Sequence, residues 1–141
     1  MYKISTRGQY ALLIMTDLAE AEEGTFIPLK TLSHRRNLSV KYLEQILIQL
    51  GKSGLVTGSR GTNGGYTLSK KASDYTAGEI LRAMEGELSP RGIPKNNHLE
   101  SEGSKTFWNN FEKAVNNYVD SVTLENLAHK NREFSGFEYC I

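Results

Sequence analysis

The side chains best suited to recognition chemistry lie on one face of a predicted helix at residues 40–52. Its apolar residues recur at the spacing of a buried face, as Leu43, Ile46, Leu47 and Leu50. The opposite face carries a polar set: Lys41, Tyr42, Glu44, Gln45 and Lys52. Glutamine can bond adenine through two hydrogen bonds, glutamate can accept from cytosine, and lysine or tyrosine can hold phosphates. This face therefore has the chemistry needed to contact nucleic-acid base edges.

A glycine-rich turn follows this helix and carries an arginine at its mouth. The sequence there is Arg60-Gly-Thr-Asn-Gly-Gly65, and six of the thirteen glycines lie between residues 51 and 65. Because such density suits a tight turn, we expect residues 55–57 and 66–68 to pair as a β-hairpin. Arg60 and the neighbouring Gly61 would then lie on a narrow projection that can enter a minor groove. The alternative is a solvated surface arginine.

Two short helices position the polar face. The first covers residues 29–36, and the second begins after Ser39, whose hydroxyl can cap it by accepting a backbone N–H. Asn37 tolerates the sharp turn between them. Ser39 is also a candidate DNA contact, and further phosphate candidates are Arg7, Arg35, Arg36 and Lys52. These parts predict a mainly α fold with a small β-hairpin wing, a winged helix-turn-helix that lies on DNA.

Further elements are expected on both sides of this unit. They are a helix at 5–22 capped by Ser5 or Thr6, a strand at Phe26-Ile27, a helix at 76–86 capped by Thr76, a long helix at about 105–120 and a short helix at 123–130. Residues 89–103 contain two prolines, two glycines and little apolar content, which indicates a loop. Residues 134–141 are expected to trail away as a tail.

The long helix carries a wide, strongly aromatic face. Its residues are Phe107, Trp108, Phe111, Val115, Tyr118 and Val119. An exposed apolar face of this size on a small lobe favours burial in a homodimer, with a ligand pocket as the alternative. We therefore expect a winged helix-turn-helix DNA-binding domain at residues 1–75. A dimerisation and regulatory region follows at 76–141, with a flexible loop at about 88–104.

Charge and hydropathy narrow the class of protein. Residues 1–75 carry a net charge of +4, whereas residues 76–141 carry −3. A basic front half and an acidic back half fit a nucleic-acid face on one part and an association surface on the other, although chance clustering is an alternative. The longest apolar run, residues 11–15, is too short to span a membrane, and no signal-peptide pattern precedes the first helix. We expect a cytoplasmic protein without membrane contact.

No pattern in the sequence points to catalysis or to a metal site. The chain lacks a nucleophile motif and a metal triad, and the turn at residues 61–65 lacks the Lys-Ser/Thr of a phosphate-binding loop. The three histidines share no ligand spacing with each other or with Cys140, the single cysteine. We expect no enzyme activity, no cofactor and no internal disulfide. Cys140 is either an incidental thiol or a redox sensor.

Several segments together resemble a bacterial family of winged-helix regulators that includes IscR, NsrR and CymR. The matching segments are Lys3-Ile-Ser-Thr-Arg-Gly-Gln-Tyr10, Leu38-Ser-Val-Lys-Tyr-Leu-Glu-Gln45, Ser53-Gly-Leu-Val56, Arg60-Gly-Thr-Asn-Gly-Gly-Tyr-Thr-Leu68, Thr76-Ala-Gly-Glu-Ile-Leu-Arg-Ala-Met-Glu-Gly86 and Val122-Thr-Leu-Glu-Asn-Leu127. They follow the family's order and cover nearly the whole chain except residues 88–104. The resemblance implies a homodimeric transcription regulator, a repressor, that binds a palindromic operator in double-stranded DNA.

The chain departs from the cluster-binding members of this family at one place. Those members carry three cysteines in the loop after the short helix, whereas residues 88–104 contain none here. Because an iron–sulfur cluster needs thiolate ligands, we expect no cluster. The resemblance is nearest to CymR, which implies repression of sulfur and cysteine metabolism genes.

The C-terminal residues carry a separate expectation. In the CymR resemblance, the tail formed by Tyr139, Cys140 and Ile141 imitates the C-terminus of serine acetyltransferase and inserts into O-acetylserine lyase (cysteine synthase). The Ile141 carboxylate would occupy the site of a substrate carboxylate, and its side chain would fill an apolar slot. A frayed terminus without a role is the alternative. For the whole chain, the alternative is an interaction module that binds a metabolic enzyme through this tail, with little DNA binding of its own.

Overall fold

A computed structural model describes residues 3–90 and 101–140, with side chains up to residue 135. The elements in chain order are α1 (Thr6–Glu20), α2 (Leu29–Arg36), α3 (Val40–Lys52), β1 (Val56–Ser59), β2 (Gly65–Leu68), a 3₁₀ turn (Ala72–Asp74), α4 (Ala77–Glu85), α5 (Glu102–Ser121) and α6 (Leu124–Cys140). The mainly α fold with a small β-hairpin is the one that the sequence predicts.

The helix-turn-helix forms as its local sequence requires. Asn37 ends α2 in the left-handed conformation at φ 53°, and the N–H of Leu38 donates to the carbonyl of Ser33 at 3.1 Å. The hydroxyl of Ser39 then caps α3 by accepting the N–H of Tyr42 at 3.1 Å. One face of α3 is fully buried: Leu43, Ile46, Leu47 and Leu50 are each 0% exposed. This apolar face fixes the rotation of α3, so the polar face must point to solvent.

The hairpin is antiparallel, with Val56 opposite Leu68 and Ser59 opposite Gly65. Residue 27 pairs with β2 of the hairpin, because Ile27 and Tyr66 exchange two backbone hydrogen bonds of 2.9 Å. The expected strand at residues 26–27 is thus a single bridge at Ile27. A side chain at Gly65 would collide with the Ile27 carbonyl, so this close approach requires glycine.

One apolar core joins elements from both predicted regions. Ile14 of α1 and Leu43 of α3 lie in the same cluster as Tyr75, Ile80 of α4 and Leu124 of α6. All five are 0% exposed. The predicted DNA-binding half therefore shares its core with α4 and α6, and the division at residue 75 stays a prediction.

Three predicted boundaries are wrong. The first helix ends at residue 20 rather than 22, and the long helix begins at Glu102, so residues 102–104 are helical and not part of a loop. Ser101 caps that helix by accepting the N–H of Ser104 at 3.1 Å. The last helix continues through Cys140 rather than ending near residue 130. Arg132 donates to the carbonyl of Ala19 at 3.2 Å and so attaches the first added turn to α1.

Candidate nucleic-acid interface

The outward face of α3 presents the predicted polar side chains to solvent. Lys41, Glu44, Gln45 and Lys52 are all exposed. Ile48 shares this face and is 47% exposed, although an isoleucine inside an amphipathic helix is normally counted as core. The sequence pattern did not identify Ile48 as an exposed residue of this face. Its only signal is that it does not belong to the set of apolar residues at the spacing of the buried face. An apolar side chain here can contact a thymine methyl group.

Two further predicted DNA contacts, Ser39 and Tyr42 at the start of α3, bond or pack within the protein. The hydroxyl of Ser39 is committed to the helix cap. Tyr42 is half-buried, and its ring meets that of Tyr10 edge-on, with centroids 6.0 Å apart. This packing ties the first turn of α3 to α1.

Arg7 lies next to the polar face of α3. Its Nη2 donates to Oε1 of Gln45 at 3.0 Å. A residue from the first turn of α1 thereby joins the α3 face, 38 positions away in sequence. The bond places one more positive charge beside the predicted base-reading residue.

Arg36 has an internal role instead of an exposed one. Its guanidinium donates Nε to Oδ2 of Asp17 at 2.7 Å and also bonds Oδ1 through Nη2. Asp17 is 1% exposed, although its side chain is a carboxylate. The hydrogen bond to Asp17 raises the pKa of Arg36, against a smaller opposing effect of burial. This pair fastens α2 to α1, and Arg35 remains on the exposed side of α2.

Arg60 and Gly61 lie exposed at the tip of the hairpin, which we call the wing (residues 56–68). The turn closes where the N–H of Gly64 donates to the carbonyl of Gly61 at 3.0 Å. Gly61 has φ +104°, a conformation that other residues rarely adopt. The tip is therefore a narrow turn with a cationic side chain at its mouth.

The wing is joined rigidly to α3. The N–H of Leu55 donates to the carbonyl of Leu50 at 3.0 Å, and that of Gly54 donates to Gly51 at 3.0 Å. Val56 and Leu50 are both buried. The α3 face and the wing tip are thus parts of one packed unit.

The predicted aromatic face of α5 is exposed in the single chain. Phe107 is 49% exposed, Phe111 43% and Tyr118 69%, and α5 has no buried residue. Phe107 stacks on Trp108 with centroids 4.9 Å apart. Val115 and Val119 are half-buried. The arrangement is a contiguous apolar surface on the outside of the chain.

An ion pair holds α5 against α4. Arg82 donates to Asp120 through Nη1 at 2.7 Å and Nη2 at 3.0 Å, and to Oδ1 of Asn116 at 2.6 Å. This hydrogen bonding raises the pKa of Arg82 and lowers the pKa of Asp120. The aromatic face therefore has a fixed orientation relative to the core.

The donor atoms of this chain do not fit an iron–sulfur cluster. Cys140 is the single cysteine of the sequence, so three thiolates cannot converge. Within residues 3–90 and 101–135, no three His, Asp or Glu side chains lie together as metal ligands would.

In the part of the chain that the structure describes, no helix is long and apolar enough to cross a membrane. The terminal residue of the predicted tail, Ile141, lies outside the described residues, as do the side chains of Tyr139 and Cys140.

A helix-turn-helix with an exposed polar face, beside a glycine-tipped hairpin, defines a winged helix-turn-helix of the kind found in DNA-binding transcription regulators. The sequence comparison agrees. The profile of the Rrf2 family, described as an iron-dependent transcriptional regulator, matches residues 4–130. The chain belongs to the Rrf2 family.

Individual relatives are similar over most of their length. The transcriptional regulator CymR of Bacillus subtilis is 40% identical over 126 residues, 89% of each chain. Its solved structure, titled as that of the global cysteine regulator, superposes with a TM-score of 0.82 over 92% of this chain and 98% of that one. IscR of Vibrio atlanticus is 29% identical over 92% of this chain and 76% of its own. These relatives are named as transcription regulators.

Proposed function

We propose that this chain is a homodimeric, sequence-specific DNA-binding repressor of sulfur and cysteine metabolism genes. The observation that carries the proposal is the α3 face with Lys41, Gln45 and Lys52 exposed next to the wing. Two recognition surfaces on one packed unit can engage adjacent grooves of a duplex, as winged helices do. The pathway in this proposal is taken from CymR, which is described as the global cysteine regulator of B. subtilis.

The α3 face supplies the base contacts in this proposal. Glu44 and Gln45 lie in the first half of the helix, where side chains of a recognition helix meet base edges in the major groove. Lys41, Lys52 and Arg7 lie around them and contact phosphates, while Arg60 and Gly61 at the wing tip enter the flanking minor groove. At the start of α3, the hydroxyl of Ser39 and the phenol of Tyr42 are further DNA contacts in this proposal.

The aromatic face of α5 is the proposed dimer interface. Its exposed rings, Phe107, Trp108, Phe111 and Tyr118, are unusual for the surface of a monomer, and Val115 and Val119 extend the same face. Two-fold pairing of this face would place two α3 helices on one duplex, which matches a palindromic operator. The region 76–141 thus serves dimerisation in the proposal, and the region 1–75 serves DNA binding.

Salt-dependent binding to a mixed-sequence duplex tests this function. Neutralised phosphates release counterions, so affinity should fall steeply as salt rises. Lys41→Ala and Lys52→Ala should each weaken binding and reduce the salt slope by about one. Lys113→Ala removes an exposed lysine of α5, outside the proposed interface with DNA, and is the matched control. Binding that ignores salt, or equal losses in all three variants, would contradict the proposal.

The tail supplies a second proposal, which concerns a protein partner. We extend the CymR resemblance to binding of O-acetylserine lyase by Tyr139, Cys140 and Ile141. Since α6 is helical through Cys140, an extended insertion requires the last turn to unwind. Calorimetry of the lyase against the parent and against a chain lacking Ile141 tests this. Equal heats for the two chains would show that Ile141 has no part in binding the lyase, without affecting the DNA-binding proposal.

A further inference from the structure

Tyr75 lies where the wing, the 3₁₀ turn and α4 meet. The residue follows Ala72–Asp74 directly and is 0% exposed. A buried tyrosine needs a partner for its hydroxyl, because an unsatisfied buried donor costs free energy. The partners of this hydroxyl therefore indicate what the residue holds in place.

The hydroxyl of Tyr75 makes three hydrogen bonds, all to backbone groups at the open end of the wing. It donates to the carbonyl of Leu55 at 2.5 Å. It accepts from the N–H of Ser69 at 3.0 Å and from that of Lys70 at 3.2 Å. Leu55 precedes β1 and Ser69 follows β2, so one oxygen atom joins the two chain ends of the hairpin.

The backbone of Tyr75 faces the opposite way, toward the turn between α5 and α6. Its carbonyl accepts the N–H of Leu124 at 3.1 Å. The next residues continue this junction, since Thr76 bridges to Thr123 and the N–H of Ala77 donates to the carbonyl of Val122 at 2.8 Å. Tyr75 thus connects the base of the wing to the start of the last helix.

We propose that Tyr75 is a positioning residue for DNA binding, which holds the base of the wing and so sets the place of Arg60 relative to α3. The proposal rests on the DNA-binding function proposed above. Each strand of the wing has four residues, so the tip lies roughly 13 Å from the base at about 3.3 Å per residue. A small rotation at the base is therefore enlarged at Arg60.

A double-mutant cycle separates positioning from general stability. Tyr75→Phe keeps the ring and removes the hydroxyl, whereas Arg60→Ala removes the side chain that Tyr75 is proposed to place. We expect Tyr75→Phe to weaken binding to a selected duplex by roughly 5- to 30-fold, the factor for losing one or two kcal/mol. In the Arg60→Ala background it should cause little further loss, because the two residues act as one unit. The amides of Ser69 and Lys70 should exchange hydrogen faster in Tyr75→Phe.

A stability control and the contradicting results complete the test. Ile80→Val shortens a fully buried side chain of the same core but touches no hydrogen bond of the wing. It should leave duplex affinity and the exchange of those two amides at the level of the parent. Tyr75→Phe with the affinity of the parent, or with equal losses in both backgrounds, overturns the role of Tyr75 alone. Arg60→Ala with the affinity of the parent overturns the role of the wing in DNA binding, and the Tyr75 proposal with it.

Discussion

Arg7 holds the amide of Gln45 through a hydrogen bond of 3.0 Å between Nη2 and Oε1. This bond orients the side chain that is proposed to contact a base pair, and it originates in a different helix. A glutamine reads adenine by accepting from N6 and donating to N7. Since Oε1 of Gln45 already accepts from Arg7, an adenine contacted by Gln45 would have to replace this hydrogen bond or share the oxygen.

Removing either side chain should therefore alter the same base preference. We expect Gln45→Ala to relax preference at one base pair by about 1–3 kcal/mol if the contact is bidentate. Arg7→Ala should relax that preference in part and also lower affinity for all sequences, because a phosphate contact is lost. Competition with duplexes substituted one position at a time measures both effects. Affected base pairs that differ between the two variants would refute the coupling.

Introducing a charge into the aromatic face should dissociate the proposed dimer. In Phe111→Glu a carboxylate would have to be buried between two subunits without a partner, which is strongly unfavourable. We expect this variant to sediment as a monomer at micromolar concentration while the parent sediments as a dimer. Lys113→Glu changes charge two residues away on α5 and should remain dimeric. A parent that sediments as a monomer would end the dimer hypothesis.

Removing one partner of the ion pair between Asp17 and Arg36 should lower the free energy of unfolding more than removing both partners. Arg36→Met leaves the carboxylate of Asp17 buried without its partner, and we expect a loss of about 1–3 kcal/mol in the free energy of unfolding. The double variant Asp17→Leu/Arg36→Met should lie closer to the parent. Urea denaturation measures both. An additive loss in the double variant would show that the pair has no coupled role.

Acid should weaken the attachment of α5 to α4 through Asp120. The hydrogen bond from Arg82 lowers the pKa of Asp120 below its ordinary 3.8. A depressed pKa stabilises the fold above the ordinary value, and this contribution is lost as pH falls through the lowered value. We expect Asp120→Asn to be less stable than the parent at neutral pH. The difference should shrink as pH falls below 3.8 and disappear once pH is below the lowered pKa of Asp120, as thermal unfolding across pH can show. A difference that stays constant through this range would contradict it.

Local signals predicted most of the fold, whereas tertiary contacts decided the rest. The cap at Ser39, the turn at Asn37 and the glycine-tipped hairpin are encoded by short stretches, and the structure confirms all three. Beyond residue 130, α6 contacts α1 through the hydrogen bond from Arg132 to Ala19, 113 positions away, which no local pattern reveals. Burial of Asp17 could not be predicted locally, because a buried carboxylate is recognisable only once its partner Arg36, 19 positions away, is placed beside it. The assignment of individual DNA contacts stays a prediction.

Selection of bound duplexes from a randomised pool tests the central claim most directly. The purified protein is incubated with the pool near physiological salt, and bound molecules are sequenced over successive rounds. We expect enrichment of a two-fold symmetric site whose half-sites are about one helical turn apart, with A·T-rich flanks where the wings lie. Arg60→Ala should reduce the preference in those flanks and leave the core of each half-site unchanged. A pool that remains random after repeated rounds would contradict sequence-specific DNA binding by this protein.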